Sequence, residues 1–240
     1  HAGDYDANVK LARVTDKVTL EFETGERVLN PVAKVNGQVV TVARAGDSSG
    51  RKWQAVYEVP ASLGTADIDS VSFEIVSLND PAGNALGATP AATTDSSRVR
   101  IDLSAPKVTV ARLLSSNSGD HAGDYDTSVK LAGVTDKVTL EFETGERVLN
   151  PVARINGQPV TVEKRAGDSS GTKWQAVYEV PVSLGTQDIA SVPFVIVSLN
   201  DPSGNALGAT SNNTATTDSS RVRIDLSAPK VTVARLLSSN

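Results

Sequence analysis

Along most of the chain, short runs occur in which every second residue is apolar, the period of a strand with one buried face. In Lys17-Val18-Thr19-Leu20-Glu21-Phe22-Glu23, the residues Val18, Leu20 and Phe22 share a face. Trp53, Ala55, Tyr57 and Val59 do the same in the next strong run, followed by Val71, Phe73 and Ile75, and by Val99, Ile101 and Leu103. Turn chemistry separates these runs: Asn36-Gly37 as a two-residue hairpin, then the Gly-Asp-Ser-Ser-Gly segment at 46–50, then Asn79-Asp80-Pro81-Ala82-Gly83-Asn84. No stretch carries a helical period. The pattern predicts an all-β chain of antiparallel β-sandwiches, about seven strands in each.

The pattern also repeats. Residues 1–120 return at 121–240 with few changes, so Lys17–Glu23 reappears as Lys137-Val138-Thr139-Leu140-Glu141-Phe142-Glu143. A period of about 120 residues is one whole domain, too long for a solenoid unit. Duplicating a domain almost verbatim adds length or valency and does little for catalysis.

Composition narrows the function classes. The chain has no cysteine, which excludes disulfides, thiolate metal sites and a cysteine nucleophile. Its net charge of −5 is spread along the chain with no basic stripe, so nothing is built to attract nucleic acid. No apolar run approaches the ~18 residues of a membrane span. Residues 1–20 lack the blocks of a signal peptide, so the chain is expected to be a mature or excised segment.

The motif order resembles that of the bacterial immunoglobulin-like (BIg-type) domains that stand in tandem in large surface adhesins and extracellular fibrous proteins. Asp16–Phe22, Val35-Asn36-Gly37-Gln38, Trp53–Tyr57, the 79–84 loop and Val99-Arg100-Ile101-Asp102-Leu103-Ser104-Ala105-Pro106 carry the likeness. The resemblance implies two tandem immunoglobulin-like β-sandwiches, a location outside the bacterial cell or on its surface, and a role as extender. It also implies calcium at or near the domain junctions.

Modules of that kind begin just after the linker Ala-Pro, which sets the expected domains at 1–105, 106–228 and a remainder at 229–240. The first strand of the second domain is then Pro106–Leu114. Its counterpart in the first domain is missing, and the same segment stands instead at the far end, as Pro229-Lys230-Val231-Thr232-Val233-Ala234-Arg235-Leu236-Leu237. Two readings stay open. The chain is two periods of a longer array, or its tail strand, through Lys230, Val231, Val233, Arg235 and Leu237, enters the open first domain of another copy. In either case the expected partners are copies of the same module.

An immunoglobulin-type path gathers the 143–146, 167–171 and 200–205 loops at the end that the preceding linker reaches. Carboxylate and amide oxygens meeting there suit calcium, which takes about six to eight oxygen ligands. The candidate ligands are Asp102, Glu143 and Asp201, with Asn205 and Asp168 beside them. The alternative is that Asp201 and Asn205 only form the turn and Asp102 ends a strand.

A second acidic loop at 118–126 lacks EF-hand spacing and reads as a solvated loop. Asp67 and Asp69 are expected near its equivalent in the first copy, but the second copy keeps only Asp188 and has Ala190 at the other position. One histidine per copy, His1 and His121, falls short of a zinc site. The Gly-Asp-Ser-Ser-Gly segments resemble a protease motif only superficially, and no base or orienting acid accompanies them. The expectation is therefore a structural, non-catalytic module. The alternative is an adhesin module binding carbohydrate or protein, for which Tyr5 and Tyr125 are the few aromatic residues outside the core phase.

Overall fold

The computed structural model describes residues 8–46, 48–90, 92–117, 129–208 and 213–237. The acidic loop at 118–126, His1, His121, Tyr5 and Tyr125 lie outside the described residues. The chain divides into two compact units, one holding residues up to Ala105 together with Asp201–Asn205, the other holding Pro106–Asn200 and the residues from Ala206 onward.

In the first unit the strands are β1 (Val9–Ala12), β2 (Lys17–Glu23), β3 (Leu29–Val35), β4 (Gln38–Val40), β5 (Val42–Arg44), β6 (Lys52–Glu58), β7 (Phe73–Asn79) and β8 (Arg98–Ile101). One sheet has the order β2-β6-β5 and the facing one β4-β3-β7, with β1 and β8 forming a separate short pair. The alternation of the sequence explains the layering: along β6, Trp53, Ala55 and Tyr57 are buried while Val56 and Glu58 face outward. Asn36 and Gly37 both take positive φ, 50° and 74°, which matches the mirror-image turn that a two-residue hairpin needs between β3 and β4.

The second unit contains β9 (Val108–Ser115), β10 (Val129–Ala132), β11 (Lys137–Thr144), β12 (Leu149–Ile155), β13 (Gln158–Val160), β14 (Val162–Lys164), β15 (Lys173–Glu179), β16 (Phe194–Asn200) and β17 (Arg221–Ile224). Its sheets are β14-β15-β11-β9 and β13-β12-β16, with β10 and β17 paired apart. Both units are all-β sandwiches of the immunoglobulin-like kind. Each departs from the all-antiparallel expectation at one place: β1 runs parallel to β8, and β10 runs parallel to β17.

The two units differ in one strand. In the second, β11 lies between β15 and β9. In the first, the matching strand β2 has β6 on one side and no described strand on the other. The consequence is visible in two copies of one sequence. On β11, Val138, Leu140 and Phe142 are all fully buried, whereas on β2 only Val18 is buried and Leu20 and Phe22 are partly buried. Phe194 and Ile196 are likewise buried on β16, while their counterparts Phe73 and Ile75 on β7 are not. The core of the second unit accordingly runs continuously from Val108 to Ile224, and that of the first is smaller. Residues 225–237 form no strand, and Val231, Val233, Leu236 and Leu237 are strongly exposed.

Candidate functional sites

The bare flank of β2 opens onto two adjoining clefts of about 580 and 380 Å³, both lined by Thr19, Leu20, Phe73, Ala92, Thr93 and Ser97. Their position corresponds to the seat of β9 in the second unit. There Val108, Ala111 and Leu113 are buried to 2%, 0% and 2% exposure in a core that includes Leu140, Phe142 and Ile196. The backbone of β9 is held from its other flank as well. The Thr217 amide donates to the Ala111 carbonyl at 2.8 Å, and the Leu113 amide donates to the Ser220 hydroxyl at 2.9 Å. Arg112 Nε donates to Glu141 Oε2 at 2.6 Å, tying β9 to β11 by charge.

Every one of these partners has a counterpart in the first unit: Thr94 for Thr217, Ser97 for Ser220, Glu21 for Glu141, and Leu20 and Phe22 for Leu140 and Phe142. The segment that matches β9 is 231–238, identical to it in sequence. The register shift between Glu143 and Thr144 places one extra residue in β9, so the alternation reverses there. As a result Val108, Ala111 and Leu113 point inward, while Val110 and Leu114 are 36% and 37% exposed. The tail residues named from the sequence are Lys230, Val231, Val233, Arg235 and Leu237. The tail residues equivalent in sequence to the inward-facing Val108, Ala111 and Leu113 are Val231, Ala234 and Leu236. A bulge leaves no mark in a pattern of apolar residues.

A second site gathers acidic groups. Asp102 and Asp201 are buried to 6% and 1% exposure, and both belong to the first compact unit. The Asp102 carboxylate accepts from the hydroxyls of Ser203 at 2.9 Å and Ser104 at 3.3 Å, and its carbonyl accepts from Asn205 Nδ2 at 3.0 Å. Asp201 accepts from the Asn205 backbone amide at 2.8 Å and from Asn205 Nδ2 at 2.9 Å. The same turn exists in the first copy, where Asn84 donates to Asp80 at 2.8 and 2.7 Å. Turn and ligand readings thus share one geometry, and the surroundings separate the two copies. The Asn84 hydrogen bonds hold the exposed Asp80 below the usual carboxylate range. For Asp201, burial pushes the pKa up, the Asn205 hydrogen bonds oppose it, and the charge of Asp102 adds to the rise.

The other predicted ligands are engaged in their own sandwich. Glu143 pairs with Arg165 at 3.3 Å and Lys173 at 4.0 Å. Asp168 closes its loop by accepting from the Ser170 and Gly171 amides at 3.1 and 2.8 Å. Burial raises its pKa, but the Ser170 hydroxyl and the loop amides outweigh that and leave it lowered. The hydroxyls of Ser203 and Ser104 are additional members of the Asp102 cluster, and nothing in the pattern of acids pointed to them.

Asp67 has a structural duty that spacing did not show. It accepts from the amides of Leu103 and Ser104 at 2.9 and 3.2 Å and from Arg100 at 3.1 Å, clamping the linker that follows β8. Asp188 repeats the clamp on Leu226, Ser227 and Arg223. Asp69, which the second copy replaces by Ala190, makes only a 3.8 Å approach to Arg100.

No family model matches the chain, and no curated protein matches it. Among solved structures it is similar to the fibronectin(III)-like modules of Clostridium thermocellum CbhA, at 7% identity and TM-score 0.32 over 91% of this chain and 89% of that one. It is also similar to an I-band fragment of titin, at 6% identity and TM-score 0.36 over 90% of this chain and 62% of that one. A third similar structure is murine CEACAM1b, at 10% identity and TM-score 0.24 over 90% and 92%. The sheets themselves define the class, a tandem of immunoglobulin-like β-sandwiches. Among the described residues, no helix is long and apolar enough to cross a membrane.

Proposed function

We propose that the chain is a structural, non-catalytic repeat module of a bacterial cell-surface or extracellular protein of the adhesin type, serving as a rigid spacer or fibre unit. Its sandwiches follow one another head to tail, each completed by a strand equivalent to β9 that comes from the neighbouring module of a longer array or from another copy. One observation carries this reading: a sequence that is a buried edge strand in the second unit stands exposed at 231–237, while the first unit has the matching seat open. An open edge is a template for pairing, and a strand from another chain satisfies both its backbone ladder and its apolar strip. Because donor and acceptor are different surfaces, the contact is heterologous and continues into a fibre.

Calcium stiffens the module in this account. Asp102 and Asp201 are hard oxygen donors of the type calcium takes, and two buried carboxylates that repel each other gain from a cation between them. Bound there, the ion would supply charge neutralisation, while Ser104, Ser203 and Asn205 orient the two carboxyl groups.

The test compares the full chain with one ending at Ala228 by light scattering over a range of concentrations, with and without calcium. A ladder of masses for the full chain and a monomer for the truncated one support the fibre reading. A 25.0 kDa monomer from both at every concentration removes strand donation and leaves only a spacer.

A further inference from the structure

We infer that Arg13 and Ser203 complete a seat in the first unit that takes the 201–205 turn of the second copy and not the 80–84 turn of the first, so that two nearly identical copies carry different recognition surfaces. Asp201–Asn205 belong to the first compact unit, apart from the rest of the copy that contains them. Three donors hold the turn there. Arg13 Nη1 donates to the Gly204 carbonyl at 2.5 Å, the Ser203 hydroxyl to Asp102 Oδ2 at 2.9 Å, and Asn205 Nδ2 to the Asp102 carbonyl at 3.0 Å. The guanidinium packs so closely on Gly204 that a Cβ there would stand 3.1 Å from Arg13 Cζ, and the φ of 91° calls for glycine as well.

The backbone on each side of this contact is common to both copies, and the side chains differ. After β1 the Arg13 amide donates to Asp16 Oδ2 at 3.0 Å, and after β10 the Gly133 amide donates to Asp136 Oδ2 at 2.6 Å. The arginine is thus presented by a turn that the second copy builds without it. The Asp–Asn turn is likewise built twice, but Ser203 stands where the first copy has Ala82. Of the residues that make the three contacts, Asp102, Gly204 and Asn205 have identical counterparts in Asp225, Gly83 and Asn84. Arg13 and Ser203 alone are changed, to Gly133 and Ala82. Burial follows the contacts: residues 202–205 are partly buried and 81–84 are exposed. Among the described residues, nothing lies within 4 Å of where a Cβ on Gly83 would stand. An alanine at 203 would leave Asp102 Oδ2 without the serine hydroxyl, and a glycine at 13 would leave the Gly204 carbonyl without its charged donor. The partner this surface fits is therefore a turn of the form Asp-Pro-Ser-Gly-Asn.

The test follows amide exchange in the full chain, with chelator present so that no cation holds the turn. Gly204 and Asn205 donate to Asp201 as Gly83 and Asn84 donate to Asp80, which makes the 80–84 turn an internal reference. In the parent, Gly204 and Asn205 are expected to exchange roughly tenfold more slowly than Gly83 and Asn84 once intrinsic rates are divided out. Arg13→Ala and Ser203→Ala are each expected to speed exchange at 204 and 205 about threefold, and the double variant about tenfold, with 83 and 84 unchanged. Arg13 is exposed, so its replacement leaves the fold intact. Gly133→Arg and Ala82→Ser write the same side chains into the other copy and are expected to leave both turns within about twofold of the parent. A side chain at Gly133 would meet Asp136 at 3.6 Å, an ordinary contact.

Equal protection of the two turns in the parent overturns the seat. Exchange that rises throughout the first unit in Arg13→Ala, and not at 204 and 205 alone, assigns the arginine to general stability and overturns its role in recognition. Protection that survives the double variant overturns the choice of Arg13 and Ser203. Each of these results leaves strand donation to be decided separately by light scattering.

Discussion

Leu113 and Leu236 sit in the same eight-residue sequence, yet shortening them is expected to have very unequal consequences for a dilute chain. Leu113 is 2% exposed and packs in a core containing Leu140 and Phe142. Leu113→Ala removes buried methyl groups and leaves a cavity, at a cost of about 2–5 kcal/mol. Leu236 has no burial to lose, and Leu236→Ala is expected to change stability by less than about 0.5 kcal/mol. The chain has two tryptophans, Trp53 in the first unit and Trp174 in the second, so their fluorescence reports the units separately. In urea, at a slope of about 1.5 kcal/mol/M, a 3 kcal/mol loss moves the Trp174 transition down by ~2 M. Trp53→Phe in the background isolates that signal. Equal shifts for Leu113→Ala and Leu236→Ala at low micromolar concentration would refute the argument, as would a Leu113→Ala shift below about 0.5 M.

The same comparison extends to the acceptor: Leu140→Ala is expected to cost about 2–5 kcal/mol and Leu20→Ala clearly less, measured by paired urea titrations. For Asp67, burial raises the pKa, but the Leu103 amide, Arg100 and Ser104 outweigh it; for Asp188, the Leu226 amide and then Arg223 lower it. Both folded values lie below the unfolded value, so their stabilisation is present above about pH 4 and is lost as pH falls through the folded values. Asp188→Asn is expected to lower the melting temperature at pH 7 and to flatten its acid dependence between pH 5 and pH 2. Asp201 works in the other direction. Its folded pKa is raised above the ordinary carboxylate value, so the folded state holds the proton more tightly and a penalty develops as pH rises through that window. Asp201→Asn is expected to remove that part of the pH dependence. Calcium is expected to raise the melting temperature at pH 7 in the parent chain and not in Asp102→Asn, read by calorimetry with and without chelator.

The alternating faces of β2, β6, β7 and their counterparts were legible from the spacing of apolar residues, because each strand buries one face and exposes the other. Burial itself was not. Val18, Leu20 and Phe22 carry the same pattern as Val138, Leu140 and Phe142, and only the neighbouring strand decides which set is sealed. The short parallel pairs β1–β8 and β10–β17 arise from contacts some ninety residues apart, which local periodicity does not record. The bulge in β9 was hidden for a related reason: the extra residue belongs to a pairing, and a single strand carries no sign of its partner. At the acidic site, Asp102, Asp201 and Asn205 could be found from loop chemistry. Glu143 could not be separated from them by residue type alone, since its engagement with Arg165 and Lys173 depends on the sheet. Asp67 and Asp188 were conspicuous as acids, but their clamp on the linker amides lies more than thirty residues away in sequence.

Strand donation is tested most directly in trans, by calorimetric titration of a synthetic peptide of residues 229–237 into the chain ending at Ala228. The account predicts saturable binding at one peptide per chain, lost when the peptide carries Leu236→Asp. An absence of binding, or equal binding of the Leu236→Asp peptide, would contradict it.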